Sequence, residues 1–329
     1  NCHIVNSAIS KNDGKKYKII NNSLLNAASV PEAIIFKNKT LLYYVNGDFD
    51  QHSIFVSEVS KDGKSASIIG PIKLNGEIIK DAVDPDLIIT SEGKLRLFYY
   101  VGLFTKPVMG KKPNKIYSAV SEDGVNFRIE GPVVSLDGGT DPTVVQLLNG
   151  SLLLAIPQAE KLNIQFYNSV DGKVFSKISS LKGGIPELAL NNEGNPELLF
   201  QEAEGFVRYT SLNSGKSWKK TNKNVLAGYP IGAASPTVIR VTKKERKMFF
   251  FKIKDNCTTP PTAYLEDKDA LKKLAERSRG KPPLGAGVKP PTGGNATGKP
   301  PLGDGVKPPA GGNATGKPPL GDGVKLRKK

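Results

Sequence analysis

A proline placed just ahead of an apolar, β-prone segment recurs five times along this chain, and the fifth copy is divided between the two ends. The five sites are Val30-Pro31-Glu32, Asp84-Pro85-Asp86, Asp141-Pro142-Thr143, Ile185-Pro186-Glu187 and Ser235-Pro236-Thr237, with the prolines 54, 57, 44 and 50 residues apart. Four units close on a tight turn: Lys61-Asp62-Gly63, Glu122-Asp123-Gly124, Val170-Asp171-Gly172 and Asn213-Ser214-Gly215. The fifth proline has no such turn after it, but one stands near the start of the chain at Asn12-Asp13-Gly14. A period of about 40 to 50 residues with several short strands per unit is the mark of a β-propeller. The divided unit means that the first strands of the chain complete the last blade.

Each unit reads as four strands. In the second these are Leu87–Thr90, Leu95–Val101, Lys115–Val120 and Asn126–Glu130. The divided unit takes Val238–Val241 and Met248–Ile253 from the C-terminal side, and His3–Ala8 and Lys16–Ile20 from the N-terminal side. β-Branched and aromatic residues between turn residues carry this assignment. The expected fold class is all-β: a five-bladed propeller over residues 1–258, closed by its N-terminal strands. A connector at 259–279 follows, with a short helix whose acidic residues come early and basic residues late, an order that suits the helix dipole. Residues 280–329 repeat an 18-residue Pro/Gly/Lys unit that cannot bury a core and reads as a disordered tail.

The two cysteines, Cys2 and Cys257, flank the place where the divided blade lacks its connecting loop. A disulfide there would close a loop of about 255 residues, a constraint of roughly 5 kcal/mol on chain-entropy grounds, and would imply an oxidising compartment. The chain begins at Asn1 without Met, as a processed secreted or cell-surface product would. No apolar run approaches the length of a transmembrane helix. Net charge is +16, of which +7 lies in residues 280–329, where nine Lys or Arg face only Asp304 and Asp322. A tail of that kind suits an anionic polymer or cell surface. It carries no aromatic residue on which bases could stack, so no specific nucleic-acid partner is expected. Two histidines, and cysteines placed at a seam, do not support zinc.

In a propeller the first strand of each blade lines the central channel, so the five proline motifs face one mouth. Strand alternation places the residues before and after each proline on one face. Two layers result: Val30, Asp84, Asp141, Ile185 and Ser235, then Glu32, Asp86, Thr143, Glu187 and Thr237. Five carboxylates converge there, which requires protonation, a cation such as Ca²⁺, or a polar ligand.

The turns, with Ser121-Glu122-Asp123-Gly124-Val125-Asn126-Phe127 as the fullest example, resemble the aspartate boxes of sialidases and of other glycosidase propellers. The architecture, with Asp84-Pro85, Asp141-Pro142 and Glu187, resembles the five-bladed propeller glycosidases of arabinanase, xylosidase and invertase type. That resemblance implies a glycoside hydrolase in which Asp84 is base or nucleophile, Asp141 the orienting carboxylate and Glu187 the general acid. Glu32, Asp86, Thr143, Ser235 and Thr237 would then contact the carbohydrate. The alternative is a non-catalytic glycan- or protein-binding propeller whose acidic channel holds a cation. The sialidase activity itself is disfavoured, because Arg96, Arg128, Arg208 and Arg240 lie on different strand types.

Overall fold

The computed structural model describes residues 2–48, 51–102, 113–158, 161–202, 205–230 and 232–254; the expected connector helix, the repeat tail and Cys257 lie outside the described residues. Two strands open the chain, β1 (His3–Ser10) and β2 (Tyr17–Asn26). The first complete blade is β3 (Ala28–Phe36), β4 (Lys39–Asn46), β5 (Ile54–Val59) and β6 (Ala66–Pro71). The short β7 (Lys73–Leu74) leads into the second blade, β8 (Ala82–Ile89), β9 (Leu95–Val101), β10 (Asn114–Ser121) and β11 (Asn126–Leu136). The third is β12 (Thr143–Gln146), β13 (Leu152–Gln158), β14 (Asn163–Ser169) and β15 (Ser176–Lys182). The fourth is β16 (Pro186–Leu190), β17 (Pro196–Glu202), β18 (Gly205–Thr210) and β19 (Lys219–Asn222). After β20 (Leu226–Ala227) come β21 (Ala234–Arg240) and β22 (Arg246–Ile253).

These strands form five sheets, the fifth in the order β20-β2-β1-β22-β21. β1 pairs with β22 over eight residue pairs, from His3↔Ile253 to Ser10↔Arg246. The propeller is therefore closed by its N-terminal strands, as the divided repeat requires, and no open edge is left at the seam. The two-residue strands β7 and β20 pair in parallel with β11 and β2. They are too short to carry a periodic signal, and the sequence reading of four strands per unit misses them.

The strand starts differ from expectation. β3, β8 and β21 begin before the proline, and the ladder shifts register across it, between Ser29 and Glu32, Val83 and Asp86, and Ala234 and Thr237. Proline has no N–H to give the ladder. The residue ahead of it takes the left-handed region in four units: Val30 (φ 46), Asp84 (φ 53), Asp141 (φ 45) and Ser235 (φ 43). That conformation is unusual for any residue with a Cβ and most so for β-branched Val30. Regular alternation does not continue through the motif. In the blades of β3, β8 and β21 a bulge at the proline sets the pair of residues towards the channel instead.

Five apolar clusters hold the blades together, four drawing on two neighbours and one joining Val45 of the first blade to residues of the second and third. Between the first and second blades lie Tyr43, Ile54, Leu97 and Tyr99; across the seam, between the fourth and fifth, lie Phe206, Ala8, Met248 and Phe250. A second set of links runs through the Asp-Gly turns. Each turn offers a carbonyl to a side chain of the preceding blade: Tyr43 Oη to Gly124 O (2.8 Å), Arg96 Nη1 to Asp171 O (3.0 Å), Ser179 Oγ to Gly215 O (2.6 Å), Arg208 Nη1 to Asp13 O (3.2 Å), and Lys247 Nζ to Lys61 O. Inside each turn the serine hydroxyl accepts from the glycine N–H or its neighbours, and in two of them the carboxylate accepts two further N–H groups, Asp123 from Val125 and Asn126 and Asp171 from Lys173 and Val174. Gly172 (φ 72) has no room for a Cβ, which would sit 2.2 Å from Arg96 Nη1.

The N-terminal turn assigns distinct roles to Asn12 and Asp13. Asn12, not Asp13, takes the carboxylate's position, receiving Lys16 N at 3.0 Å, and Gly14 N reaches Ser10 Oγ at 3.0 Å. This is the one-residue-longer form seen at Ser211–Gly215, where Asn213 receives Ser217 N at 2.8 Å. The extra residue, Asp13 (φ 59), is thereby released to pair with Arg246 and Arg240, each at 2.7 Å. Arg246 also pairs with Glu197 at 2.5 Å, and both side chains are at least 95% buried. Removing one partner of such a pair costs about 3–5 kcal/mol. Arg246→Met is therefore expected to lower the melting temperature by about 10 °C; a shift under about 2 °C in calorimetry would show that the pair does not hold the seam.

Candidate active site at the channel mouth

The bulges present two rings of side chains. The outer ring is Val30, Asp84, Asp141, Ile185 and Ser235, and the inner ring Glu32, Asp86, Glu187 and the threonines Thr143 and Thr237. Together with the prolines they line a constriction of about 20 Å³, and beyond the inner ring the channel widens to about 470 Å³ between apolar strand residues such as Ile34, Ile88, Leu188 and Ile239. Every residue expected at the site lines this constriction except Thr237, whose hydroxyl donates to Glu32.

The inner ring clasps the blades together. Each of four side chains accepts an N–H from the next blade: Asp86 from Val144 (3.1 Å), Thr143 from Leu188 (2.9 Å), Glu187 from Val238 (3.0 Å) and Thr237 from Ala33 (3.2 Å). The threonines also donate, Thr143 to Glu187 at 3.3 Å and Thr237 to Glu32 at 2.8 Å. Burial, and after it the neighbouring carboxylates, push Glu32 and Asp86 well above the usual range. Burial raises Glu187 to about 8 against the bonds from Val238, Thr237 and Thr143. One oxygen from each of Glu32, Asp86 and Glu187 can be chosen so that all three lie within 4.8 Å of one another. These are the residues that could hold a hard cation through oxygen ligands.

In the outer ring Asp84 and Asp141 stand on adjacent blades. Asp84 Oδ2 accepts Asp141 N at 3.2 Å, and Asp141 Oδ2 accepts Thr140 Oγ1 at 2.8 Å. Burial and then the charge of Asp141 hold Asp84 well above the usual range, while burial raises Asp141 to about 6. Electrostatically the site falls into two groups: Asp84 responds to Asp141, and Glu32 to Asp86 and Glu187. Asp141 Oδ1 and Ser235 Oγ are buried without a hydrogen-bond partner in the protein.

Five neighbours escaped the sequence reading. Thr140 supports Asp141; its only signal is a hydroxyl next to a pre-proline acid. Tyr100 lies close enough to Asp84 for that charge, after burial, to raise its hydroxyl. Gly102 makes room for the ring, since a Cβ there would lie 2.2 Å from Tyr100 Oη. His52 Nδ1 and Asp81 Oδ1 are 2.9 Å apart, three residues before Asp84. Pairing of β8 with β9 brings Tyr100 to Asp84, and only His52 crosses from the neighbouring blade.

No protein-family model matches the chain, and no curated protein matches it. Solved structures do. The family 32 β-fructofuranosidase of Bombyx mori superposes with a TM-score of 0.52 at 17% identity, over 71% of this chain and 56% of that one. A family 117 glycoside hydrolase from the marine bacterium Zobellia galactanivorans gives 0.51 at 13% identity, over 80% and 98%. The RS223 β-xylosidase gives 0.50 at 12% identity, over 70% and 93%. The fold is that of the five-bladed propeller glycosidases. At these identities the likeness concerns the path of the chain, and the chemistry rests on the residues at the mouth.

Proposed function

We propose that this propeller hydrolyses a glycosidic bond at the channel mouth. The observation that carries the reading is the Asp84–Asp141 pair, two buried carboxyls on adjacent blades, with Asp84 Oδ2 accepting the backbone N–H of Asp141 and burial raising Asp84 well above the usual range and Asp141 to about 6. Two carboxyls whose environments drive their titrations apart are what acid–base chemistry at a glycosidic bond needs. The resemblance assigns the base to Asp84. Asp141 suits the orienting role, because its Oδ1 has no partner in the protein, while its charge, after burial, holds Asp84 well above the usual range. Glu187, raised to about 8, stays protonated at neutral pH and suits the general acid. Val30 and Ile185 alternate with polar residues round the mouth, matching the mixed C–H and O–H surface of a sugar. No Lys or Arg is among the described residues lining the constriction, which suits a neutral sugar.

A second reading is favoured by the cluster of Glu32, Asp86 and Glu187: a glycan- or protein-binding propeller holding a cation such as Ca²⁺. One experiment separates them. Furanose- and pyranose-containing oligosaccharides are incubated with the protein with and without chelator, and product release is read. Turnover indifferent to chelator supports the hydrolase. No turnover on any glycan, with a melting temperature that falls on chelation, supports the binding module.

The covalent seal and the location belong to the same proposal. Cys2 O accepts Lys254 N at 2.8 Å, which brings Cys2 alongside the chain three residues before Cys257 and supports a Cys2–Cys257 disulfide in a secreted or surface protein. Peptide mapping without reductant is expected to recover the linked pair; two free thiols would remove the seal. The basic tail is proposed to meet an anionic polymer, and deleting 280–329 should weaken salt-sensitive adsorption to heparin while leaving the propeller's melting temperature nearly unchanged.

A further inference from the structure

Blades three, four and five are consecutive, so Asp141, Ile185 and Ser235 stand side by side round the mouth in the order polar, apolar, polar. The two polar members share features that no other pair at the site shows. Each precedes a buried proline in the left-handed region, Asp141 at φ 45 and Ser235 at φ 43, which fixes the direction in which its Cα–Cβ bond leaves the backbone. Each is almost fully buried, at 4% and 7% exposure. Each keeps one oxygen, Asp141 Oδ1 and Ser235 Oγ, without a partner in the protein. A buried hydroxyl or carboxylate oxygen left without a partner is costly and calls for one from elsewhere. The constriction they border, about 20 Å³, has room for a single oxygen and not for a sugar ring. A ring must therefore rest above the mouth and reach in with its hydroxyls.

We propose that Ser235 and Asp141 form the specificity-determining pair of this site, each receiving one hydroxyl of a single sugar ring whose C–H edge rests on Ile185. The assignment rests on the hydrolase reading and deepens it. Asp141 Oδ1 accepts from one hydroxyl, and Ser235 Oγ exchanges a hydrogen bond with the other. A sugar lacking either hydroxyl leaves a buried polar group unpaired and is rejected for that reason.

The test uses p-nitrophenyl glycosides of neutral furanoses and pyranoses, the wild-type chain and Ser235→Ala. On the glycoside that the wild type hydrolyses best, Ser235→Ala is expected to lower kcat/KM by about 10- to 100-fold. Monodeoxy versions of that glycoside then locate the contact. At one ring position the loss of the hydroxyl should lower wild-type kcat/KM by a similar factor and cost Ser235→Ala nothing further. At the other positions the two losses should multiply. The melting temperature of Ser235→Ala should match the wild type, since the hydroxyl bonds nothing inside the protein. An active wild type with an equally active Ser235→Ala, losses that multiply at every position, or a melting temperature lowered by several degrees would each overturn the assignment and leave the hydrolase reading standing. If the wild type hydrolyses none of the glycosides and free monosaccharides give no saturation-transfer signal, both fall together. Binding without turnover moves the same comparison to Kd, where a non-additive loss at one ring position supports the pair and additive losses at every position overturn it.

Discussion

Asp141→Asn is expected to lower kcat/KM by about 10²–10⁴-fold, and Asp84→Asn by a comparable factor, with sugar binding retained in both. The amide keeps the shape of the carboxyl and removes its capacity to ionise. The pH profile separates the two roles. Asp141 is raised by burial to about 6, so wild-type activity should fall on an acid limb near that value as the pair gains its second proton. In Asp84→Asn the hydrogen bond from Asp141 N is still made, through the amide oxygen, and the acid limb should persist. In Asp141→Asn the limb should vanish along with most of the activity. Turnover by Asp141→Asn within about threefold of wild type would remove Asp141 from the reaction.

Stability should decline as pH rises from about 5 to about 9, opposite to the direction usual for acid-labile proteins. Burial raises Asp84, Glu32 and Asp86 well above the ordinary carboxylate range, Asp141 to about 6 and Glu187 to about 8. A group whose titration is raised on folding contributes stability that is fully present below its unfolded value and lost as pH climbs through the folded one. The loss thus begins near the unfolded carboxylate value of about 4 and is complete near pH 6 for Asp141 and near pH 8 for Glu187. Moving a carboxyl's titration by one pH unit on folding corresponds to about 1.4 kcal/mol, so Glu187 by itself accounts for a few kcal/mol. The aspartate-box carboxylates work in reverse. Backbone and side-chain bonds hold Asp171 to about 2, and such bonds outweigh partial burial to hold Asp123 to about 2, so their contribution is kept above the ordinary range and lost as pH falls towards 2. Calorimetry from pH 3 to 9 should find the maximum between these limits. Glu187→Gln mimics the protonated acid and should flatten the alkaline side. A melting temperature independent of pH between 5 and 9 would show that the inner ring is not protonated in this way. Recovery of alkaline stability by Ca²⁺, absent in Glu187→Gln, would favour the cation reading.

What was legible in the sequence was what local chemistry repeats. Proline lacks an N–H, and Asp-Gly and its Asn variant brace a turn, so each recurs once per blade and makes the blade count, the divided unit and the seam readable. The two rings at the mouth followed from the same motif. The bulge that forms them did not, because a residue ahead of proline in the left-handed region is held there by the ladder on either side and not by its own preference. The turn at Ser10 shows a similar limit: only the folded chain reveals that Asn12 fills the carboxylate's place and frees Asp13 for Arg246. Partnership across blades was decided by the tertiary structure alone. The inner ring passes hydrogen bonds from one blade to the next between residues 44 to 205 positions apart, as in Thr143 to Glu187 and Thr237 to Glu32. Such contacts leave no local pattern, since they arise from the closure of the ring. The same closure buries five carboxyls together and so sets which of them keep their protons.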